Sequence, residues 1–466
     1  MVVKHNCFQV PTGLHVLVGR IIHSKRDKTL EILPKAAIGV KGDGSIAFVR
    51  ALTIDTTLDD ICAKHISLGL DGNVRITHLE ASQFLFPGLI DTHLHAPQWP
   101  NLALGMDGDL RKWIEEWTDP VEASYSDTTK ATKVYDSVVR TTLSLGSTTV
   151  AYNSSKHVPA TNILADTCLK YGQRAIIGKL SVTVGSTKGN WEESTSQSLE
   201  DSEKAVRHIR AFDRDERLIK ACIQPRGGPF CPGELMEGMG RLARKHRTYV
   251  QTHCCETTDD IERTLRLHPN FSCYTDMYKA YGLLHEKSIL AHCIHLEPQD
   301  VKNLIETRAA VAHNPNSNTC LRDGECNVRY LLDRNIKVGL GTDCSAGYMP
   351  SILDAMRQAS NVSRHLAMRL SDDKVVLSFS EMVWLATLGG AEALGMEDRI
   401  GNFSVGKMFD ALLVDVKDVV GVDESLWEED GSYGRDAIVR KWVFMSERSS
   451  IRKVWVDGRL VAGCDV

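Results

Sequence analysis

Eight short apolar segments recur through the middle of the chain, at residues 85–91, 147–152, 174–179, 218–224, 249–253, 288–292, 309–313 and 338–342, and most are followed by a stretch with helical periodicity. Strands alternating with helical patterns predict βα units and a parallel sheet, and eight such units predict a closed (β/α)8 barrel of the TIM type. Helical stretches include Ser198–Phe212, with Glu200, Glu203 and Lys204 on its polar side, and Leu353–Arg369. Charge-rich faces of this kind read as solvated.

Both ends follow a different pattern. Toward the N-terminus, Leu14–Ile22, Ala37–Val40 and Ile46–Val49 alternate with turns, and Gly42-Asp43-Gly44-Ser45 between two apolar runs is a hairpin signal. The C-terminal part echoes this with Ala411-Leu412-Leu413-Val414 and Ile451–Val456 before Asp457-Gly458. The simplest arrangement joins both ends, residues 1–86 and 402–466, into one small β-domain beside a barrel over 87–401. With 466 residues the chain has room for both, since barrels with insertions exceed ~400 residues. It shows no internal repeat, low-complexity tract or linker.

Composition narrows the partners. A net charge of -5 and a pI near 6.4 give no basic field for nucleic acid, and no Lys/Arg run marks an anionic membrane surface. The start, Met-Val-Val-Lys-His-Asn-Cys, lacks a sustained apolar stretch, and no window approaches the ~18 uninterrupted apolar residues of a membrane span. Thirteen cysteines without a C-x-x-C read as reduced, mostly buried thiols in a reducing compartment, so a soluble cytoplasmic protein is expected.

Chemistry concentrates at the ends of the apolar segments. His93 and His95 lie two apart on an extended segment and so face one side, where both can reach one ion. Asp91 falls on that side too and is placed to orient an imidazole. Alone, an H-x-H is a weak signal. His253 in Tyr-Val-Gln-Thr-His, His292 in Ile-Leu-Ala-His and Asp343 in Val-Gly-Leu-Gly-Thr-Asp change that, because strand C-termini converge on one face of a barrel. His93, His95, His253 and Asp343 can supply one hydrolytic zinc with an open position for water. A second, bridged metal is not expected, because Lys220 on the fourth segment lies several residues before its end. Glu256, three residues past His253, can carry a proton between water and substrate if burial raises its pKa, or serve only as a helix N-terminal acid. His292 either binds the metal or hydrogen-bonds the water and the developing oxyanion. Thiolate coordination by Cys254 or Cys255 is disfavoured. His313 beside Asn314-Pro315 fits a strand-end site or a turn cap equally; His65, His208 and His246 read as surface residues.

Pro87-Gly88-Leu89-Ile90-Asp91-Thr92-His93-Leu94-His95, Gly341-Thr342-Asp343 and Gly401-Asn402-Phe403-Ser404-Val405-Gly406-Lys407 resemble the amidohydrolase superfamily. Within it, His95-Ala96-Pro97-Gln98-Trp99-Pro100-Asn101, Leu110 to Glu122 with its Trp113, Pro225-Arg226, Ala312-His313-Asn314-Pro315-Asn316-Ser317-Asn318 and Ala386-Thr387-Leu388-Gly389-Gly390 resemble the guanine deaminases over nearly the whole chain. The resemblance implies a distorted (β/α)8 barrel with one zinc per chain, a β-sandwich built from both termini, a homodimer, a role in purine catabolism, and hydrolysis of guanine to xanthine and ammonia. Carried over by position, His93, His95, His253 and Asp343 hold zinc, while Glu256, His292 and Asp343 are catalytic. Gln98, Arg226, Gly227 and His253 meet the substrate. A planar donor fork from Arg226 suits a carbonyl, and the Gln98 amide can donate to or accept from a ring edge.

Two departures keep the substrate open. Gly227 follows Arg226, and Asp119 stands in Thr118-Asp119-Pro120, where aromatic residues are usual in that family; Gly178-Lys179-Leu180-Ser181-Val182-Thr183 also differs at its strand end. The alternatives are deamination of another N-heterocycle such as a pterin or modified purine, hydrolysis of a cyclic amide or ester on the same metal, or a non-catalytic barrel.

Overall fold

A computed structural model describes residues 13–66, 74–422, 434–446 and 450–463. The N-terminal stretch read as lacking an apolar leader, and the side chain of His65, lie outside the described residues. The chain divides into two compact units, one of Met1–Leu89, Leu143–Thr148 and Met396–Val466, the other of Ile90–Thr142 and Thr149–Gly395.

In the first unit both termini feed one eight-stranded sheet. Its path runs Arg459–Ala462, Ile451–Val456, Ala411–Asp415, Gln83–Pro87, Leu14–Ser24, Leu30–Val40, Ile46–Ala51, with Val74–His78 paired beside Leu14–Ser24. Alternation along the strands divides the core between faces: Leu17, Ile38, Ile46, Leu413 and Trp455 share one apolar cluster, and Val16, Val18 and Phe48 another. Ile46 and Trp455 come from strands near opposite ends of the path, so the sheet curls until its ends share a core. The expected hairpin forms, with Lys41 N donating to Ser45 O at 2.9 Å. Its Gly44 has φ +89°, and a Cβ there would sit 2.0 Å from the Asp457 carbonyl oxygen, so only glycine fits.

The barrel strands lie side by side in chain order: Leu89–His95, Ser147–Asn153, Arg174–Gly178, Ile219–Pro225, Tyr249–Cys254, Ser288–His292, Ala310–His313 and Lys337–Leu340. Neighbours are parallel wherever their register is resolved, and most of these strands are buried along their whole length, which explains their continuous apolar reading. The first strand bonds to the eighth and its exit: Thr92 Oγ1 donates to Leu340 O at 2.9 Å, Asp343 N to His93 O at 2.9 Å, and His95 N to Cys344 O at 3.1 Å. These bonds close the ring.

The first apolar segment, expected as a single strand over 85–91, is two elements. Gln83–Pro87 pairs with Ala411–Asp415 in the terminal sheet, and the barrel strand begins at Leu89. Gly88 makes the break; a Cβ there would lie 2.1 Å from Thr148 Oγ1. The helix at Ser198–Phe212 starts earlier, at Thr195, because Ser194 caps it by accepting from Gln197 N at 3.2 Å. Its Ser198, Ser202, Ala205, Val206 and Ile209 form the buried stripe, while Lys204 pairs with Glu200 at 3.0 Å on the polar side. Glu203 instead reaches Lys245 and His246 of the helix Gly233–His246, both at 2.7 Å. His208 likewise pairs with Asp166 at 2.9 Å, so neither His208 nor His246 is a free surface residue. Among the described residues, ten cysteines are free thiols, all but Cys320 buried. No helix among the described residues is long and apolar enough to cross a membrane.

Candidate active site

Period-two alternation along Leu89–His95 sends Asp91, His93 and His95 to the inside, and the fifth strand brings His253 to the same level. His95 Nε2 lies 3.2 Å from His93 Nε2 and 3.1 Å from His253 Nε2. Asp343 Oδ1 lies 3.3 Å from His93 Nε2 and 3.6 Å from His95 Nε2. His292 belongs to the same cluster, its Nε2 being 3.7 Å from Asp343 Oδ2. Two overlapping triads, His93 with His95 and His253, and His93 with His292 and Asp343, are spaced to hold an ion. His292, the last residue of its strand, and Asp343, three residues past the end of the eighth, have φ of +74° and +47°, a left-handed conformation that non-glycine residues seldom adopt.

The donor set fits a divalent transition metal. Burial holds His93, His95 and His253 below the ordinary histidine range, so the imidazoles are neutral. Asp343 stays ionised: burial opposes its charge, but the His93 hydrogen bond and the surrounding imidazoles outweigh it. Neutral nitrogens with converging lone pairs beside a buried anion ask for a cation. Nδ1 of His253 donates to the Arg226 carbonyl at 2.6 Å, which leaves Nε2 as the ligating atom. The side-chain amide nitrogens of Gln251 and Asn153 lie 3.0 and 3.3 Å from His93 Nδ1, so that ring edge is held from outside the cluster while Nε2 faces into it.

Asp91 does not orient an imidazole. Its carboxylate accepts from the His93 backbone N at 3.2 Å and from Thr342 N and Oγ1 at 3.0 and 2.6 Å, so it ties the first strand to the exit of the eighth. Burial drives its pKa up to about 7. Cys254 and Cys255 belong to neither triad, and Cys255 Sγ faces Asp300 Oδ2 at 3.8 Å. Lys220 Nζ donates to Glu216 O at 3.2 Å, away from the cluster.

Above the cluster is a cavity of about 390 Å³, lined among others by Gln98, Arg226, Gly227, Glu256, His292 and Phe230. Glu256 precedes Thr257, the N-cap of the helix Thr258–Leu267, and its side chain turns into the cavity, with Oε1 3.3 Å from His292 Nε2. Burial first, then the charges of Asp343 and Asp260, push its pKa well above the ordinary carboxylate range. His292 is held by Asn318, whose Oδ1 lies 2.9 Å from Nδ1. His313 is buried at the seventh strand's end, is outside both triads, and its ring caps no turn; both ring nitrogens lack a hydrogen-bond partner among the described residues.

Three residues at this site escaped the sequence reading. Glu122 is fully buried between Gln98 and Arg226: Gln98 Nε2 donates to Oε1 at 2.9 Å, and Arg226 Nη1 pairs with Oε2. Phe230 stacks on Arg226, with the guanidinium carbon 5.2 Å from its ring centroid. Asp323 lines the cavity with Oδ2 unpartnered, and burial raises its pKa to about 9. Only the acid in Thr118-Asp119-Pro120-Val121-Glu122 was visible in sequence, without any sign of its burial. Asp119 has a different task from a pocket wall: it accepts from Thr187 N at 2.6 Å and Asn190 Nδ2 at 3.0 Å, anchoring the loop after the third strand. Lys179 serves the same loop, buried in a pair with Glu192, which also accepts from Val182 N at 3.1 Å.

The amidohydrolase family model matches residues 84–461. A probable guanine deaminase of Schizosaccharomyces pombe is 41% identical over 451 residues, 97% of this chain and 84% of that one. The guanine deaminase of Homo sapiens is 33% identical over 454 residues, 97% of this chain and 98% of that one. Among solved structures, guanine deaminase from C. acetobutylicum with bound guanine in the active site superposes with a TM-score of 0.85 at 28% identity, covering 96% of this chain and 99% of that one.

Proposed function

Because the chain belongs to the amidohydrolase family, and within it to the guanine deaminases, we propose that the cavity described above hydrolyses guanine to xanthine and ammonia with one zinc ion held by His93, His95, His253 and Asp343. When bound there, such an ion supplies Lewis acidity that lowers the pKa of water toward ~7. The remaining work falls to the side chains.

Arg226 donates to an acceptor atom of the base and Gln98 meets a ring N–H, which holds the purine with its amine-bearing carbon toward the cluster. Asp343 accepts a proton from the attacking water. Water adds to that carbon while Glu256, protonated through burial, gives its proton to the adjacent ring nitrogen; the amine then takes the proton held by Asp343 and leaves as ammonia, and the new hydroxyl returns a proton to Glu256 as it becomes the carbonyl. His292, steadied by Asn318, hydrogen-bonds the oxygen on which charge develops. Placed beside Asp343, it can also approach the ion.

The observation that carries this reading is the contact of a buried carboxyl, Glu256, with His292 at 3.3 Å on the wall of a cavity that Arg226 and Gln98 also line. Gly227, which lines the cavity without a side chain, keeps a larger fused heterocycle such as a pterin as the second reading. A homodimer and a place in purine catabolism belong to the same proposal and rest on the family likeness alone, while a cytoplasmic location rests on the free, mostly buried thiols. The test is ammonia release, together with the ultraviolet change, from guanine and a panel of purines and pterins. About one zinc per chain should be needed, with activity lost on chelation and restored by zinc. A zinc-loaded protein that leaves guanine untouched would discard guanine, and two bridged ions would discard the mononuclear site.

A further inference from the structure

We propose that Glu122 is a positioning residue that sets the polarity with which Gln98 and Arg226 meet the base, and thereby selects a lactam edge, a carbonyl beside a ring N–H, over an amidine edge. The inference rests on the reading that Gln98 and Arg226 touch the substrate.

A primary amide is ambivalent. Rotating its terminal torsion by half a turn exchanges donor and acceptor at little intrinsic cost, so Gln98 alone could accept either kind of edge. Glu122 removes the choice. It is buried on the short helix Asp119–Ala123 and surrounded by donors: Gln98 Nε2 at 2.9 Å from Oε1, Asn190 Nδ2 at 2.9 Å from Oε2, and Arg226 Nη1 on Oε2. An ionised carboxylate only accepts, so the Gln98 NH2 must face it. Gln98 Oε1 then points away, 3.4 Å from Ser345 N, with a lone pair left for a ring N–H. Arg226 has Nη1 committed to Glu122 and Nη2 3.5 Å from Asp119, and the residue lines the cavity beside Gln98.

Donor and acceptor are thus presented side by side, complementary to a 6-oxopurine and mismatched with a 6-aminopurine. Asn190 carries the constraint backward. Its Nδ2 bridges Glu122 and Asp119, and Asp119 is fixed by the backbone of Thr187 at 2.6 Å.

The test compares guanine with 2,6-diaminopurine, which bears the same amine at the reacting carbon but an amidine edge. The zinc-loaded wild-type protein is expected to favour guanine by ~10²-fold or more in kcat/KM. Glu122→Gln should raise KM for guanine about tenfold with kcat and zinc content nearly unchanged, and should shrink the preference at least about tenfold. On a Gln98→Ala background the same substitution should leave the preference unmoved, since the amide it orients is gone. A structural role alone would lower both substrates together and keep their ratio, which overturns the inference while guanine turnover by the wild type stands. Absence of guanine turnover in the wild type would remove the underlying reading and this inference with it. Should Glu122→Gln fail to fold, Glu122→Asp carries the test: it keeps the charge for Arg226 but is one methylene short of Gln98, and the same loss of preference is expected.

Discussion

His253 Nδ1 donates to the backbone carbonyl of Arg226 at 2.6 Å, so the residue whose side chain lines the cavity also fixes, through its main chain, an imidazole of the histidine cluster. The two functions are joined at one peptide unit between the fourth and fifth strands. Side-chain changes at position 226 can therefore disturb recognition and leave the metal site standing.

Arg226→Lys provides that separation. An ammonium cannot span Glu122 and the base as a planar fork does, and its charge is more costly to bury. Guanine kcat/KM should fall by ~10²-fold or more while zinc content, read by plasma emission, stays near one per chain. Loss of zinc in this variant would show that the backbone bond does not survive without the guanidinium.

Glu256→Gln preserves shape and removes the transferable proton. Turnover should drop by roughly 10²-fold or more with metal retained, because Glu256 contacts His292 at 3.3 Å and belongs to neither ligand triad. Nearly normal turnover would move the proton to another carboxyl on the cavity wall, Asp323 being the first candidate.

Much of this was readable because it is local. Strand-end placement of His93, His95, His253, His292 and Asp343 follows from short apolar runs, and the chain order of the eight strands follows from their alternation with helices. What escaped is tertiary. The run 85–91 looks like one strand because both of its halves are apolar, yet Gly88 divides it between two sheets. Asp91 shares the side of His93 and His95 but meets Thr342, more than two hundred residues away, a partner no spacing rule supplies. Glu122 ends the stretch from Leu110 that carries the family resemblance, but nothing in its spacing supplies its partners Gln98, Asn190 and Arg226.

His313 gives a pH signature separate from catalysis. Burial, and then the charge of His292, hold its pKa at about 3, against 6.5 for the exposed ring. Between those values the unfolded chain binds the extra proton, so stability from this position is fully present above pH 6.5 and is lost as pH falls toward 3. The slope is at most about 1.4 kcal/mol per pH unit. Denaturant unfolding of wild type and His313→Asn across this window should show the wild type losing stability more steeply toward acid. Parallel curves would assign the acid lability elsewhere.

Phe230 answers the missing aromatic at Gly227. The glycine is not there for its backbone: φ is 161°, extended, and a Cβ would meet Phe230 Cδ2 at 3.5 Å, an ordinary contact. A larger side chain at 227 would lie against that ring, whose centroid is 5.2 and 5.5 Å from the guanidinium carbons of Arg226 and Arg263. The aromatic wall is supplied from three residues further along the chain. Removing it by Phe230→Ala forfeits a partly desolvated cation–π contact, about 1–2 kcal/mol, and should raise KM for guanine roughly tenfold. Gly227→Phe should also impair the enzyme, by crowding two rings into one space. The double variant should recover most of the loss, because the new ring occupies the space vacated by the old one. Losses that add in the double variant would mean that the two positions do not share that space, and Phe230 would then be only a packing residue of the loop after the fourth strand.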